Sequence, residues 1–199
     1  SKRYRMTAEQ KAEIEELRRQ AEVKSAEKYT QAAQRSQNIW DKSKDCVKHD
    51  YLERKQVLSY GLKEDDHGNL VIPMKDGQGT IVGLQFIAGD GTKRFLTGSK
   101  KSGSFFLLGR EIFNSSDTLN YAEGYATAAS IYADRSQPVV VAFDAYNLTP
   151  VAEVMYKYFP NHKHVFVADN DDSKTGEKEA KKAAALVNKK GGYAEIQMP

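Results

Sequence analysis

The stretch Leu119-Asn-Tyr-Ala-Glu-Gly-Tyr-Ala-Thr-Ala128 decides the fold. Four residues of strand texture, 119–122, run into an acid and a glycine, and helix-forming residues follow at once over Tyr125–Ala133. Glycine at such a junction lets the backbone turn tightly and leaves room for a bulky ligand. Strand, turn and helix in that order open a parallel crossover unit, and the rest of the chain repeats the alternation. Further strands are expected at Val139–Phe143, His164–Ala168 and Ala194–Gln197, with helices at Pro150–Tyr158 and Glu177–Lys189 between them. Thr149-Pro150 suits an N-cap and first-turn proline, and Gly191-Gly192 suits a helix stop.

In an open parallel sheet, ligands bind outside the carboxyl ends of the strands. The first strand here ends in Glu123, the second in Asp144, and the third in Asp169-Asn-Asp171, followed by Asp172. Three acid-bearing strand ends at one edge repel one another unless a cation lies among them. Oxygen donors of this kind suit Mg2+ or Mn2+ rather than zinc, with Asp169, Asp171, Glu123 and Asp144 as candidate ligands. The plainer alternative is that such acids cap the helices that follow, and Asp144 fits that role best.

Upstream the texture differs. Runs at Leu70–Met74 and Ile81–Ile87, parted by turn signals at Asp76-Gly77 and Asp90-Gly91, read as a small antiparallel meander. Residues 7–48 hold neither Pro nor Gly, which predicts one or two helices, begun by a Thr7…Gln10 capping box. Glu15 and Arg19 are spaced for an ion pair. The apolar stripe (Ile14, Leu17, Ala21, Ile39, Trp40) is thin, so this segment is either a solvated linker or a helix that leans lightly on a neighbour.

Between Gly91 and Arg110 stand five basic residues (Lys93, Arg94, Lys100, Lys101 and Arg110) and no acid. Such a strip suits phosphate contacts. Its aromatics, Phe95, Phe105 and Phe106, are expected in the core, because buried rings outnumber stacking platforms. The four histidines show no metal spacing, and Lys178, Lys181 and Lys182 read as a solvated helix face.

The 199 residues are 40% hydrophobic and 29% charged, with a formal charge of +3. The longest apolar runs fall far short of the ~20 residues needed to cross a bilayer. Nothing resembling an export signal opens the sequence, so a cytoplasmic setting is expected. Cys46 is the only cysteine, which excludes an internal disulfide framework and a cysteine-based zinc site within these residues.

Glu-Gly-Tyr-Ala-Thr-Ala (123–128) with the downstream Asp169-Asn-Asp171 resembles the TOPRIM domain of primases, topoisomerases and related nucleases, over residues 117–199. The resemblance implies a general acid/base role for Glu123 and metal chelation by Asp169 and Asp171. A second set, Tyr51-Leu-Glu-Arg-Lys55, Val71-Ile-Pro-Met74, Gly83-Leu-Gln85, Lys93-Arg-Phe-Leu96, Gly103 and Leu108-Gly109, is similar to the segment preceding TOPRIM in phage- and plasmid-borne DNA primases. Phe143-Asp-Ala-Tyr-Asn147 follows the same group. Bacterial primases carry a basic residue where Arg94 stands, and a lysine where this chain has Leu108, so Lys100 or Lys101 is the candidate for the second charge.

The fold so implied is α/β: a helical segment (1–48), a small basic antiparallel α+β subdomain (49–116), and TOPRIM, a mainly parallel sheet flanked by helices (117–199). The implied activity is metal-dependent synthesis of short RNA primers on single-stranded DNA, for replication of a phage, plasmid or mobile element. It implies a two-metal site of Mg2+ or Mn2+ and no zinc in this chain. Partners would be the DNA template, nucleoside triphosphates, and a helicase and zinc-binding module outside the chain, with no membrane. Rival readings are a TOPRIM nuclease or topoisomerase-related enzyme, and a non-catalytic nucleic-acid-binding module.

Overall fold

The computed structural model describes residues 6–111, 116–168 and 174–198. The first element among the described residues is a single 35-residue helix, α1 (Ala8–Lys42), started by the Thr7–Gln10 capping box. Arg19 pairs with Glu16 rather than Glu15, at i,i+3 spacing. Most of the helix is bare. Of its residues only Ala32 and Ser36 are fully buried, and its last turns, with Ile39 and Trp40, lie on an antiparallel sheet. The thin stripe therefore does pack lightly, at one end only.

That sheet runs β1 (Lys44–Asp45), β2 (Lys63–Glu64), β3 (Leu70–Lys75), β4 (Ile81–Ile87) and β5 (Lys93–Phe95), in spatial order β1-β2-β3-β4-β5. A short helix, α2 (Asp50–Lys55), sits between β1 and β2. Alternation along β3 splits its residues between two layers. Val71, with Leu84 and Phe86 of β4, meets Ile39 and Trp40 of α1. Leu70, Ile72 and Met74, with Ile87, face the other way into the largest apolar cluster.

The second sheet contains β6 (Phe106–Leu108), β7 (Thr118–Ala122), β8 (Val139–Val141), β9 (Lys163–Val167) and β10 (Tyr193–Gln197), in order β10-β9-β7-β8-β6. β7 pairs in parallel with β8 and β9, and β9 with β10. Only β6 is antiparallel, along β8. It precedes the crossover units in sequence, yet its short Phe106-Leu-Leu run completes their sheet. Helices α3 (Tyr125–Arg135), α4 (Leu148–Tyr158) and α5 (Thr175–Lys189) cover the faces. Tyr125, Ala128 and Ala129 of α3 join the cluster shared with the first sheet, so the two halves have one continuous core.

The expected strands and helices are present, with shifted ends. β8 stops at Val141 because Phe143 turns left-handed, at φ 73°. α4 begins at Leu148 with Asn147 as its N-cap, not at Pro150 after Thr149, because the turn Ala145–Asn147 leads straight into it. Gly191, at φ 91°, ends α5 as its sequence indicated. No helix among the described residues is long and apolar enough to cross a membrane.

Candidate active site

Parallel pairing brings the ends of β7, β8 and β9 to one edge: Ala122 lies opposite Val141, and Tyr121 opposite Phe166. Glu123, half-buried, follows the last residue of β7, and its Oε1 is out of reach of solvent. Asp144 follows β8, swung outward by the left-handed Phe143. A bulky residue in that region costs on the order of 1–3 kcal/mol. The buried Phe143 ring and the turn after it hold it there. Asp169 and Asp171, expected at the end of β9, lie outside the described residues. Among the described residues no group of three or more His, Cys, Asp or Glu side chains gathers as a metal cage.

The first sheet delivers cations to the same edge, and strand register selects which. Residues paired across an antiparallel ladder share a face. Lys93 pairs with Ile87, Arg94 with Phe86 and Phe95 with Gln85. Ile87 faces the shared core and Phe86 faces α1, so Lys93 and Phe95 look toward the acid edge while Arg94 looks away. Atomic positions agree. Lys93 Nζ is 3.6 Å from where a Cβ on Gly124 would stand. The Arg94 guanidinium lies over the Phe86 ring, 5.4 Å from its centroid. Lys101 forms an ion pair with Asp144 Oδ2, both partly exposed.

Asp144 thus has two engagements. Its Oδ1 accepts from Asn147 N at 2.9 Å, which is the capping role the sequence left open, and its Oδ2 meets Lys101. Asn147 is itself buried and ties the two halves together. Its Oδ1 accepts from Gly103 N at 2.8 Å, and its Nδ2 donates to Ser104 O at 2.9 Å and Ala142 O at 2.8 Å. The basic loop is also held from below and behind. Ser99 lies so near Gly83 that a Cβ there would meet it at 2.5 Å. Arg35 of α1 donates to Thr97 O at 2.7 Å.

Other candidates fall elsewhere. Leu108 pairs with Val139 at the start of β8, so Arg110, two residues on, stands at the end of the sheet opposite the acids. There it lines a cavity with Lys75, whose amine is pushed down by burial and by the Arg110 charge. Lys100 is exposed, with its backbone N–H on Val82 O. The Tyr125 hydroxyl, next to Glu123 in sequence, donates to Leu58 O and Ser59 O at 2.9 and 2.6 Å, and burial pushes its pKa far up. It is a strut between the halves, unsuited to nucleophilic attack. His164 lies in β9 and is buried against Tyr121. His49 caps α2. Lys181 and Lys182 pair with Glu177 and Glu179 on α5.

Two features were not singled out from the sequence, and one expectation fails. Beside Gly124 opens a cavity of about 380 Å³ lined by Tyr51, Arg54, Lys55, Asp90, Lys93 and Thr127. Arg54 and Lys55 belong to the Tyr51–Lys55 motif, which carried that signal. Asn147 sits in the Phe143–Asn147 motif, but its bridging role depends on a loop more than forty residues away. The core expectation fails for Phe95: Phe105 and Phe106 are buried, whereas Phe95 is 37% exposed on the edge strand β5, its ring covered only in part by Phe143 among the described residues.

Comparison with known proteins agrees with this arrangement. The Toprim domain family matches residues 118–199. Two proteins of Escherichia coli called DNA primase TraC are each 38% identical over 125 residues, 61% of this chain. The match covers 12% and 9% of their length, so this chain spans about a tenth of the curated relatives it matches. The primase fragment of the bacteriophage T7 primase-helicase protein superposes with a TM-score of 0.60 at 21% identity, over 79% of this chain and 67% of that one. A DnaG primase catalytic domain bound to single-stranded DNA gives 0.59 at 10% identity, over 89% and 74%. Residues 118–199 thus match the Toprim domain family, and the chain shares the fold of these primase cores.

Proposed function

We propose that this Toprim-bearing chain is the catalytic core of a DNA primase, joining ribonucleotides on a single-stranded DNA template. The observation that carries the reading is the arrival of two cations from the antiparallel half at the ends of the parallel strands: Lys93 beside Gly124, the residue after Glu123, and Lys101 paired with Asp144. Cations facing carboxylates form a cleft suited to polyphosphate and metal together. The likeness to TraC primases and the shared fold support the same reading.

The oxygen-only donors Glu123 and Asp144, with Asp169 and Asp171 next along the chain, fit a hard divalent cation, Mg2+ or Mn2+. When bound, a pair of such cations neutralises charge on the attacking and leaving oxygens. In the proposed reaction one ribonucleotide's 3′-hydroxyl attacks the α-phosphorus of the next triphosphate, and pyrophosphate leaves. Glu123 accepts the hydroxyl proton, directly or through water. Lys93 and Lys101 neutralise phosphate through charge-assisted hydrogen bonds, and with Lys101 turned to phosphate Asp144 would be available as a further oxygen donor. Lys100, exposed on the loop beside Lys101, is left for more distant phosphates, and Arg94, turned toward α1, lies outside this cleft. A helicase and a zinc-binding module for template choice, outside these residues, are the proposed partners of this core.

The test is primer synthesis: labelled ATP and the other ribonucleotides, Mg2+ or Mn2+, and mixed-sequence single-stranded DNA. Short RNA products are expected. Absence of product, with Mn2+-dependent DNA cleavage in the absence of nucleotides, would mark a nuclease and overturn the reading.

A further inference from the structure

We propose that Phe95 is a stacking platform for a nucleobase, placed between the cations that hold the base's phosphates. This rests on the primase reading and deepens it. The ring is 37% exposed on the edge strand, and the register of β5 points it to the same face as Lys93. Its edge contact is with Phe143, centroids 6.2 Å apart and planes at 78°, a T-shaped pair. One partner thus fixes the ring while a large part of it stays open to solvent. Lys101 Nζ lies 5.2 Å from the ring centroid, and Lys93 reaches Gly124 on the same side.

An apolar ring exposed under the Lys101 ammonium, on the strand face that also carries Lys93, is poorly explained by packing, since Phe105 and Phe106 some ten residues on are buried. It is well explained by a ligand that is flat, aromatic and anionic at one end. Nucleotides have that chemistry, and stacking needs no base-specific hydrogen bond. Two sources supply it: the template strand or the incoming triphosphate. Tyr146, 70% exposed two residues after Asp144, is the competing ring, but among the described residues no ring or cation contact fixes its orientation.

The experiment measures binding, independently of synthesis. Wild type, Phe95→Leu, Phe95→Trp and Tyr146→Ala are titrated with a deoxythymidine oligonucleotide, an abasic oligonucleotide of equal length, and Mg-ATP, with thermal unfolding confirming each fold. Phe95→Leu is expected to weaken a base-bearing ligand about tenfold, as removal of a stacking ring does. Abasic binding should stay unchanged, and Phe95→Trp should restore affinity. Loss confined to the oligonucleotide assigns the platform to template, and loss confined to Mg-ATP assigns it to the incoming nucleotide. Equal loss on abasic and base-bearing strands, or loss with Tyr146→Ala while Phe95→Leu binds normally, overturns the assignment. If Phe95→Leu is indistinguishable from wild type but wild type makes primers, the stacking idea fails and the primase reading stands. If wild type makes none while base-dependent binding falls in Phe95→Leu, the reverse holds.

Discussion

The two sheets furnish the site by different physical means. In the second sheet, parallel pairing sends β7, β8, β9 and β10 in one direction, so residues that follow these strands collect at one edge whatever the details of packing. Glu123 and Asp144 reach the site by topology. In the antiparallel sheet, neighbouring residues of a single edge strand part company: Lys93 and Phe95 turn toward the acids and Arg94 toward α1. The cations reach the site by register, and a one-residue slip would exchange them. A parallel sheet is thus a tolerant way to gather ligands, and an edge strand a discriminating one.

The largest effect expected from this contrast is on chemistry. Glu123→Gln keeps the shape of the strand end but removes the proton acceptor, so primer synthesis should fall by ~10²–10⁴. Stabilisation of the fold by Mg2+ or Mn2+, read as a shift in thermal unfolding, should largely persist. Asp169→Asn and Asp171→Asn should lose both synthesis and metal-induced stabilisation. If all three variants behave alike, the division of labour along the acid edge is wrong.

The next effect is on the joint between the sheets. Asn147→Ala strips three hydrogen bonds and leaves the Gly103 N–H and two carbonyls without that partner. Stability should drop by about 2–3 kcal/mol in chemical denaturation, since a buried polar group left unsatisfied costs about 1–3 kcal/mol. A change within experimental error would show that the basic loop is held by Gly83, Ser99 and α1 without Asn147.

The smallest effect sharpens the register argument most. Lys93→Ala should lower the salt slope of single-stranded DNA binding by ~0.7, the value of one phosphate contact. Arg94→Ala, on the α1 side, should leave the slope nearer wild type. Titrations at several salt concentrations distinguish them, and a larger change in Arg94→Ala would reverse the assignment of faces.

The order of strands and helices from Leu119 onward, the acids at the strand ends and the basic strip were all legible from local pattern. Each depends on residues within one element or the turn beside it: Gly124 after Glu123, the apolar run Val139–Val141, and the Thr7–Gln10 box. The antiparallel meander was equally legible in its hairpin signals. The place of β6 was not, because three apolar residues specify no partner until β8 lies next to them.

What the sequence by itself determined is which charges exist and that the acids share an edge. Only the tertiary structure decided which cations oppose them. It carried Arg110 to the far end of the Toprim sheet, turned Arg94 toward α1, and left Phe95 open while burying Phe105 and Phe106. The reason is that the facing of a strand residue follows from its alternation and from what covers each side. For β5 those covers are α1, more than fifty residues earlier, and the Toprim domain, which begins some twenty residues later.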